Sequence, residues 1–238
     1  MRIACLLTLI ISVVSCVPEA DPPVDEALLG NEENDLVTNE LVELPDPQVG
    51  EQTVSGALYE RVSRRRFTGD SLSLDIAGEL LWAAGGINVD GITGATRTAP
   101  SAGGTYALDH YLVAGDVDDL AAGIYRYDHE QHALEMVGIG DRRSELASAA
   151  LDQQFIADAP LIVVMAAHYG RTTATYGERG ERYVHMESGY ASQNIHLICE
   201  ELGLGTVAIG AFEDDLVAEI IATDGAPLMI MPVGVPVE

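Results

Sequence analysis

The chain of 238 residues contains no lysine, so all its positive charge comes from twelve arginines, set against 38 Asp and Glu residues. The formal net charge is -26 and the pI is about 4.2. A chain this poor in positive charge cannot neutralise a run of phosphates, which excludes nucleic-acid binding, and it gains nothing from anionic lipid. The composition is typical of a surface adapted to high salt, although an acidic protein at ordinary salt fits it as well.

Long apolar runs and cysteines are also scarce. Residues 3–14 form one apolar run after Arg2, and the run is too short to span a bilayer as a typical helix. The run is typical of a secretory signal and ends in Val13-Val14-Ser15-Cys16, which resembles a bacterial lipobox. Residues 1–16 are therefore predicted to be a lipoprotein-type signal peptide with lipid on Cys16. The alternatives are an ordinary cleaved signal, a short membrane anchor, or a cytoplasmic protein with no signal.

This prediction places the protein outside the cytoplasm, on the periplasmic or cell-surface side. Its acyl chains would be its one contact with the membrane. Of the three cysteines, Cys5 is then discarded and only Cys199 remains in the folded part. A single cysteine cannot form an internal disulfide, so disulfide chemistry adds no support for export.

Residues 17–55 lack Lys and Arg but contain eleven acids and five prolines. Such a segment buries too little apolar surface to offset the entropy of ordering it. We predict an acidic disordered tether between the lipid and the domain. The weak periodicity of residues 36–44 leaves a short docking helix as the alternative.

Residues 56–238 are predicted to fold as one α+β domain, because helical and strand patterns alternate without a repeat and include a hairpin. Ser73 is the expected N-cap of one helix, and Gly85-Gly86 its end. The longest helix is apolar around most of its circumference, so it should be central or lie in a subunit interface. The predicted helices span residues 56–63, 74–84, 141–151, 183–202 and 214–221, and the predicted strands 111–114, 123–128, 133–137, 161–167, 206–209 and 228–232.

Four of the twelve arginines, Arg61, Arg64, Arg65 and Arg66, fall within six positions. In so acidic a chain this cluster suggests a specific anion, since the guanidinium donates paired hydrogen bonds to phosphate or carboxylate. A solvated helix end or ion pairs with nearby acids is the plainer interpretation. A second feature, residues 97–104, contains Pro100-Ser101-Ala102-Gly103-Gly104, a turn with little side-chain bulk. Such a turn lets backbone amides approach a flat ligand or a phosphate.

Taken together, four stretches between about residues 57 and 236 resemble the FMN-dependent nitroreductase family, and most closely its SagB-type dehydrogenase branch. The first two are the arginine cluster, resembling the opening phosphate motif, and residues 97–104, resembling the flavin-ring loop. The third is 176–194, resembling the entry to the core helix of that branch. The fourth is the closing section, Gly203-Leu204-Gly205-Thr206 with Ile209-Gly210 and Pro232-Val233-Gly234.

The resemblance implies a mixed sheet flanked by helices, an obligate homodimer, two FMN molecules at its interface and a small-molecule substrate. It implies that Arg61, Ser63 and Arg65 hold the FMN phosphate and ribityl chain. It further implies that the loop from the partner subunit packs on the flavin ring while a backbone stretch faces the hydride-accepting atom. The residues concerned are Pro100, Ser101, Ala102 and Gly103 in the loop and Ile209, Gly210 and Ala211 in the backbone stretch.

Two positions depart from the family pattern. Val235 stands where a cation often reaches the phosphate, and Thr175 stands before Tyr176 where azoline-oxidising members carry lysine. Tyr176 is still the expected general acid or base, with a packing tyrosine as the alternative. Histidines 168, 185 and 196 lack metal-ligand spacing and are assigned to packing or the surface. These departures keep open a flavin-binding or scaffold lipoprotein that retains the fold and dimer without turnover.

Overall fold

The computed structural model describes residues 41–48, 50–88 and 97–237. The predicted signal peptide with Cys16, residues 17–40 of the predicted tether, and residues 89–96 lie outside this range. Within it, no helix is both long enough and apolar enough to cross a membrane.

The described residues contain a seven-stranded sheet in the order β1-β4-β3-β2-β5-β7-β6. Every pair of neighbouring strands is antiparallel. The predicted α+β class is confirmed, but the sheet is antiparallel rather than mixed. The strands are β1 (Leu41–Glu43), β2 (Leu108–Ala114), β3 (Gly123–Asp128), β4 (Ala133–Ile139), β5 (Leu161–Ala167), β6 (Gly205–Thr206) and β7 (Ala226–Gly234).

Helices cover both faces of this sheet. The Ser73 hydroxyl accepts a hydrogen bond from the Ile76 N–H, so Ser73 caps α2 as predicted. The longest helix, α6, begins four residues earlier than the prediction, which started it at Tyr183. The helices are α1 (Val54–Glu60), α2 (Leu74–Gly85), α3 (Arg143–Ala149), α4 (Phe155–Asp158), α5 (Tyr169–Tyr176), α6 (Arg179–Glu201) and α7 (Asp214–Ile220).

Strand β5 lies between β2 and β7 inside the sheet, and all of its residues are buried, as its continuous apolar run predicted. Leu161, Val163 and Met165 point into a core formed with α2 and α6. Ile162 and Val164 point into a second core with residues of α3 and α7. Successive side chains of a strand alternate between faces, so one apolar run supplies both cores.

The C-terminal part of the predicted tether is ordered. Strand β1 pairs with β4, and Leu44 is buried and donates its N–H to the His132 carbonyl. The His132 Nε2 lies 2.8 Å from the Pro45 carbonyl and its Nδ1 lies 2.7 Å from the Tyr127 hydroxyl. The tether prediction is therefore wrong for residues 41–48, and the alternative helix is wrong for residues 41–44. The hydrogen bonds and the buried leucine offset the entropy cost of ordering these residues, and the composition of the segment did not indicate these contacts.

The closing section also differs from its predicted strand. β6 covers only Gly205–Thr206, whereas a strand over residues 206–209 was predicted. Ile209 instead forms an isolated bridge with Ile230 of β7, with hydrogen bonds of 2.9 Å in both directions. The chain leaves the sheet after Thr206 and returns to it at Ile209.

Candidate functional site

The arginine segment, residues 61–67, runs in an extended path from the end of α1 along β6 and the C-terminal residues. The Arg64 N–H donates to the Thr206 carbonyl at 2.9 Å. Further along, the Thr68 N–H donates to the Val235 carbonyl at 2.9 Å, and the Val237 N–H donates to the Arg66 carbonyl at 3.0 Å. The backbone of the segment is therefore fixed by the closing section, and Val235 lies beside it.

Charge is left uncompensated on this segment. Arg61 is half-buried, and Ser63 and Arg65 are exposed. Within the described part of the chain, Arg61 and Arg65 have no ion-pair partner, although acids far outnumber arginines. Five other arginines pair with acids: Arg64 with Glu200, Arg126 with Glu135, Arg142 with Glu145, Arg143 with Asp141 and Arg171 with Asp109. Arg97, Arg179 and Arg182 also have no ion-pair partner among the described residues, but they lie outside the segment. Two unpaired guanidiniums and a hydroxyl form a donor set suited to a phosphate.

His196 of α6 lies within the field of Arg61. Its side chain is 6% exposed. Burial, together with the positive charge of Arg61, lowers the pKa of His196 to about 4. The imidazole is therefore neutral at ordinary pH, so it adds no second positive charge beside Arg61.

The small-residue loop, residues 100–104, is bonded within its own protomer. The Ser101 hydroxyl donates to the Glu187 carboxylate at 2.5 Å and accepts from the Tyr106 N–H at 2.9 Å. Glu187 is 5% exposed on α6 and also accepts from the backbone N–H groups of Ala107 and Leu108. Burial raises the pKa of Glu187, although these hydrogen bonds oppose the shift. Ser101 thereby ties the loop to the central helix.

Gly103 places the loop against Tyr176. Its φ of +62° lies in the left-handed region that favours glycine. A Cβ at this position would lie 2.5 Å from the Tyr176 hydroxyl oxygen. Tyr176 ends α5, is 38% exposed and meets the Tyr183 ring edge-on, with ring centroids 5.2 Å apart. The structure therefore brings the predicted catalytic tyrosine and the predicted ring loop together.

The backbone stretch predicted to face the flavin, residues 209–211, is open. Ile209 is 6% exposed, while Gly210 and Ala211 are exposed. A Cβ on Gly210 would have its nearest neighbour, the Leu228 carbonyl oxygen, at 4.0 Å. The Ala211 carbonyl accepts from the Gln153 side chain at 3.3 Å. A flat ligand can approach the Gly210 backbone without meeting a side chain.

The arginine segment and the small-residue loop are supported by positions that lie far apart along α6. Glu187 supports the small-residue loop and Glu200 pairs with Arg64 of the arginine segment. Thirteen residues, from 187 to 200, separate these supports, which is about 20 Å at the helical rise of 1.5 Å per residue. One protomer therefore presents the phosphate donors and the ring loop at different places.

Arg171, Arg179 and His168 have partners within the protein. Arg171 pairs with both Asp109 carboxylate oxygens, at 2.6 and 3.2 Å, and the Arg179 Nε donates to the Tyr183 hydroxyl. His168 Nε2 lies 3.0 Å from Asp109 Oδ2. The described residues hold no cluster of three or more His, Cys, Asp or Glu side chains suited to a metal ion.

Two structural supports of the site were not assigned that role from the sequence: Glu187 under the small-residue loop and Glu200 beside Arg64. His196 was assigned to packing or the surface, and it is buried near Arg61. Each depends on which face of α6 its side chain occupies relative to distant loops, and helical periodicity does not supply that placement. The alternation Arg61-x-Ser63-x-Arg65 was a usable signal for Arg64, because in an extended chain the intervening residue points to the opposite side.

Comparisons with known proteins agree with this architecture. The sequence model of the nitroreductase family matches residues 58–235. A protein of Methanocaldococcus jannaschii, provisionally named a nitroreductase, is 41% identical over 197 residues, covering 83% of this chain and 98% of its own. A crystal structure provisionally described as a nitroreductase, from Ralstonia eutropha JMP134, superposes with a TM-score of 0.72 at 32% identity, covering 85% and 93% of the two chains.

The fold and its relatives together define a class of redox enzyme whose members generally use flavin, usually FMN. The chain belongs to the nitroreductase family. Family membership implies that it is an oxidoreductase.

Proposed function

We propose that the protein is an FMN-dependent oxidoreductase of the SagB-type branch that acts on a small molecule. The observation that carries this proposal is the pair of unpaired arginines, Arg61 and Arg65, in a chain of net charge -26. Their fixed backbone and the intervening Ser63 hydroxyl offer donors to a phosphate. When bound, FMN supplies hydride acceptance from a donor and hydride delivery to a second acceptor.

The residues present fit this cofactor. Arg61, Ser63 and Arg65 would hold the phosphate and ribityl chain. The open backbone at Gly210, with Ile209 and Ala211, leaves space for a planar ring. Val235 supplies no charge beside the segment, so the two unpaired arginines would provide most of the attraction.

Tyr176 would hold or move a proton at its hydroxyl. Its ring is partly exposed, and its hydroxyl lies over Gly103 at the small-residue loop. The members of that loop, Pro100, Ser101, Ala102 and Gly103, would pack on the flavin ring and exclude water. Their position would be held by Glu187 through Ser101.

The branch assignment rests on the motif at residues 176–194, and one structural neighbour shares the fold. The Escherichia coli microcin synthetase complex McbBCD, solved with truncated pro-MccB17 bound, contains a chain that superposes with a TM-score of 0.65 at 24% identity. The superposition covers 94% of this chain and 84% of that one, and at this identity it supports a shared fold. Thr175 occupies the position of the azoline-oxidising lysine, so we propose a different small-molecule oxidation.

A homodimer would complete the site. The phosphate donors and the small-residue loop are about 20 Å apart along α6 in one protomer, so a second copy could bring its loop to the first copy's phosphate donors. A surface for that copy exists on α1, where Val54, Leu58 and Tyr59 are 70%, 54% and 90% exposed. A mainly apolar groove of 280 Å³ lies beside them and is lined partly by Trp82 and Leu197.

We further propose that the protein is exported and anchored through lipid on Cys16. This rests on the sequence of residues 1–16 and on the acidic residues that follow. Cells expressing the chain should incorporate labelled palmitate into it, and Cys16→Ser should abolish the label. An unlabelled protein recovered from the cytoplasm would contradict the anchor.

The cofactor is tested first by the visible spectrum of the purified whole chain and by the mass of any released small molecule. The proposal predicts a two-band yellow spectrum with about one FMN per chain. A folded, colourless dimer that refuses added FMN would contradict the enzyme function and favour the scaffold lipoprotein. The protein used should retain residues 41–55, because cutting at residue 56 removes β1 and the start of α1.

A further inference from the structure

Arg64 is less exposed than the two arginines that follow it and reaches toward α6. Its side chain is 28% exposed, whereas Arg65 and Arg66 are exposed residues. Successive side chains alternate along an extended chain, so Arg64 faces away from its direct neighbours Ser63 and Arg65. Its Nη2 lies 3.4 Å from the Glu200 carboxylate, whose side chain is 8% exposed.

The path beneath Arg64 is closely packed. A Cβ on Gly205 would lie 2.9 Å from both Cβ and Cδ of Arg64, so glycine is needed there for the arginine stem to pass over β6. The Arg64 N–H donates to the neighbouring Thr206 carbonyl at 2.9 Å. The backbone and stem of this residue are therefore held by β6, and its Nη2 by Glu200 of α6, while its buried Nη1 has no hydrogen-bond partner among the described residues.

We propose that Arg64 is a positioning residue for the cofactor phosphate, acting with Glu200. This inference rests on the proposed function. Fixing Arg64 fixes the backbone of both flanking residues, Ser63 and Arg65, and thereby directs their side chains to the opposite side. Donors that are already oriented lose less conformational freedom when an anion binds, so the affinity for the phosphate rises without a contact from Arg64 itself.

The test compares FMN with riboflavin, the same flavin without the phosphate, on the whole chain stripped of cofactor. Arg64→Met keeps a long apolar stem but removes the ion pair. We expect it to weaken FMN binding by about tenfold, the scale of the cost of immobilising one side chain when the anion binds, and to leave riboflavin binding unchanged. Arg64→Lys should recover part of the FMN affinity because it restores a charge beside Glu200.

Two further variants separate positioning from a simple change of electrostatic field. Arg66→Met removes one positive charge from an exposed side chain of the same segment and is the matched control, expected to change the FMN affinity less than Arg64→Met. Glu200→Met removes a negative charge. A field effect would make it bind FMN more tightly, whereas loss of positioning makes it bind FMN more weakly.

The contrary results are distinct. Equal weakening of FMN and riboflavin in Arg64→Met and Glu200→Met would show a purely structural role and overturn the inference. Tighter FMN binding by Glu200→Met would overturn the inference and indicate a purely electrostatic effect. A loss of FMN affinity in Arg66→Met equal to that in Arg64→Met would lead to the same conclusion. A wild-type protein that binds riboflavin as well as FMN would overturn both the inference and the phosphate site. If Arg64→Met fails to fold, Arg64→Lys and Glu200→Met decide the question.

Discussion

The arginine segment and the small-residue loop contact different parts of α6 and differ in how they use their polar groups. Half-buried Arg61 and exposed Arg65 have no ion-pair partner among the described residues, so the charge of the segment is available to a ligand. The Ser101 hydroxyl of the loop is instead hydrogen-bonded within the protein, to Glu187 and to the Tyr106 N–H. The comparison indicates that one region attracts a ligand by charge and the other provides a surface whose shape is set beforehand.

Both regions use a buried carboxylate of α6 as their support, but the carboxylates act differently. Glu200 offsets an arginine charge beneath the segment, whereas Glu187 accepts hydrogen bonds from a hydroxyl and from backbone N–H groups. Carboxylates at this depth are retained only when paired or hydrogen-bonded. The same helix thus positions two parts of the site that one protomer keeps about 20 Å apart.

The largest expected effect comes from removing the unpaired charges. The double change Arg61→Ala/Arg65→Ala should weaken FMN binding by a factor of about one hundred or more, since each hydrogen bond to a charged group contributes about 1.5–3 kcal/mol. Riboflavin binding should change little, because riboflavin has no phosphate. Titrating both flavins by fluorescence quenching measures the two affinities.

Ser101→Ala is the control from the other region. It should lower the stability of the loop without changing the ratio of FMN to riboflavin affinity, because Ser101 bonds Glu187 rather than the phosphate site. If the double arginine variant retained its preference for FMN, the assignment of the segment to phosphate would be wrong.

The sequence predicted the arginine segment better than its surroundings. A cluster of arginines in an acidic chain is a compositional signal, and strand β5 is an unbroken apolar run, so both could be read locally. The ordering of residues 41–48 could not, because it depends on pairing with β4 and on His132, about ninety positions away. The composition of that segment indicates the entropy cost of ordering it. It does not reveal the distant contacts that offset this cost.

The supports of the site were hidden for a related reason. Glu187 and Glu200 are separated by nearly four turns of α6 and serve loops that lie about a hundred residues away in the chain. The motif around residue 187 was visible in the sequence, but its role depends on which loop reaches it. The position and facing of each polar residue along α6 therefore determine which of them contact the two loops.

Acid should affect the two regions in opposite directions. The pKa of His196 in the folded protein, about 4, lies below its ordinary value of 6.5. The unfolded chain therefore binds more protons between these values, and stability is lost as the pH falls through this window. From about pH 7 to about pH 5 this group should cost about 2 kcal/mol, and His196→Gln should remove that part of the loss in urea unfolding.

Glu187 supplies the opposing test. Burial raises its pKa above the unfolded value, so protonation on acidification favours the folded state and adds stability as the pH falls through the folded pKa. Glu187→Gln should remove this gain, so the variant should lose stability on acidification more steeply than the wild type does. The other titrating histidines are common to all variants and cancel in these differences. If the unfolding free energy changed identically with pH in the wild type, His196→Gln and Glu187→Gln, the predicted opposite effects of the two residues would be contradicted.

The smallest effect probes how closely the small-residue loop fits Tyr176. Gly103→Ala and Gly140→Ala both place a side chain at positive φ, +62° and +82°, and each should cost about 1 kcal/mol of unfolding free energy. At Gly140 the added Cβ meets nothing within 4 Å, whereas at Gly103 it meets the Tyr176 hydroxyl. Gly103→Ala should therefore cost more, by less than about 1 kcal/mol, because the phenol end can move aside. In a Tyr176→Ala background that excess should disappear, and equal costs for both glycines in the wild type would show that the loop and Tyr176 are not in contact.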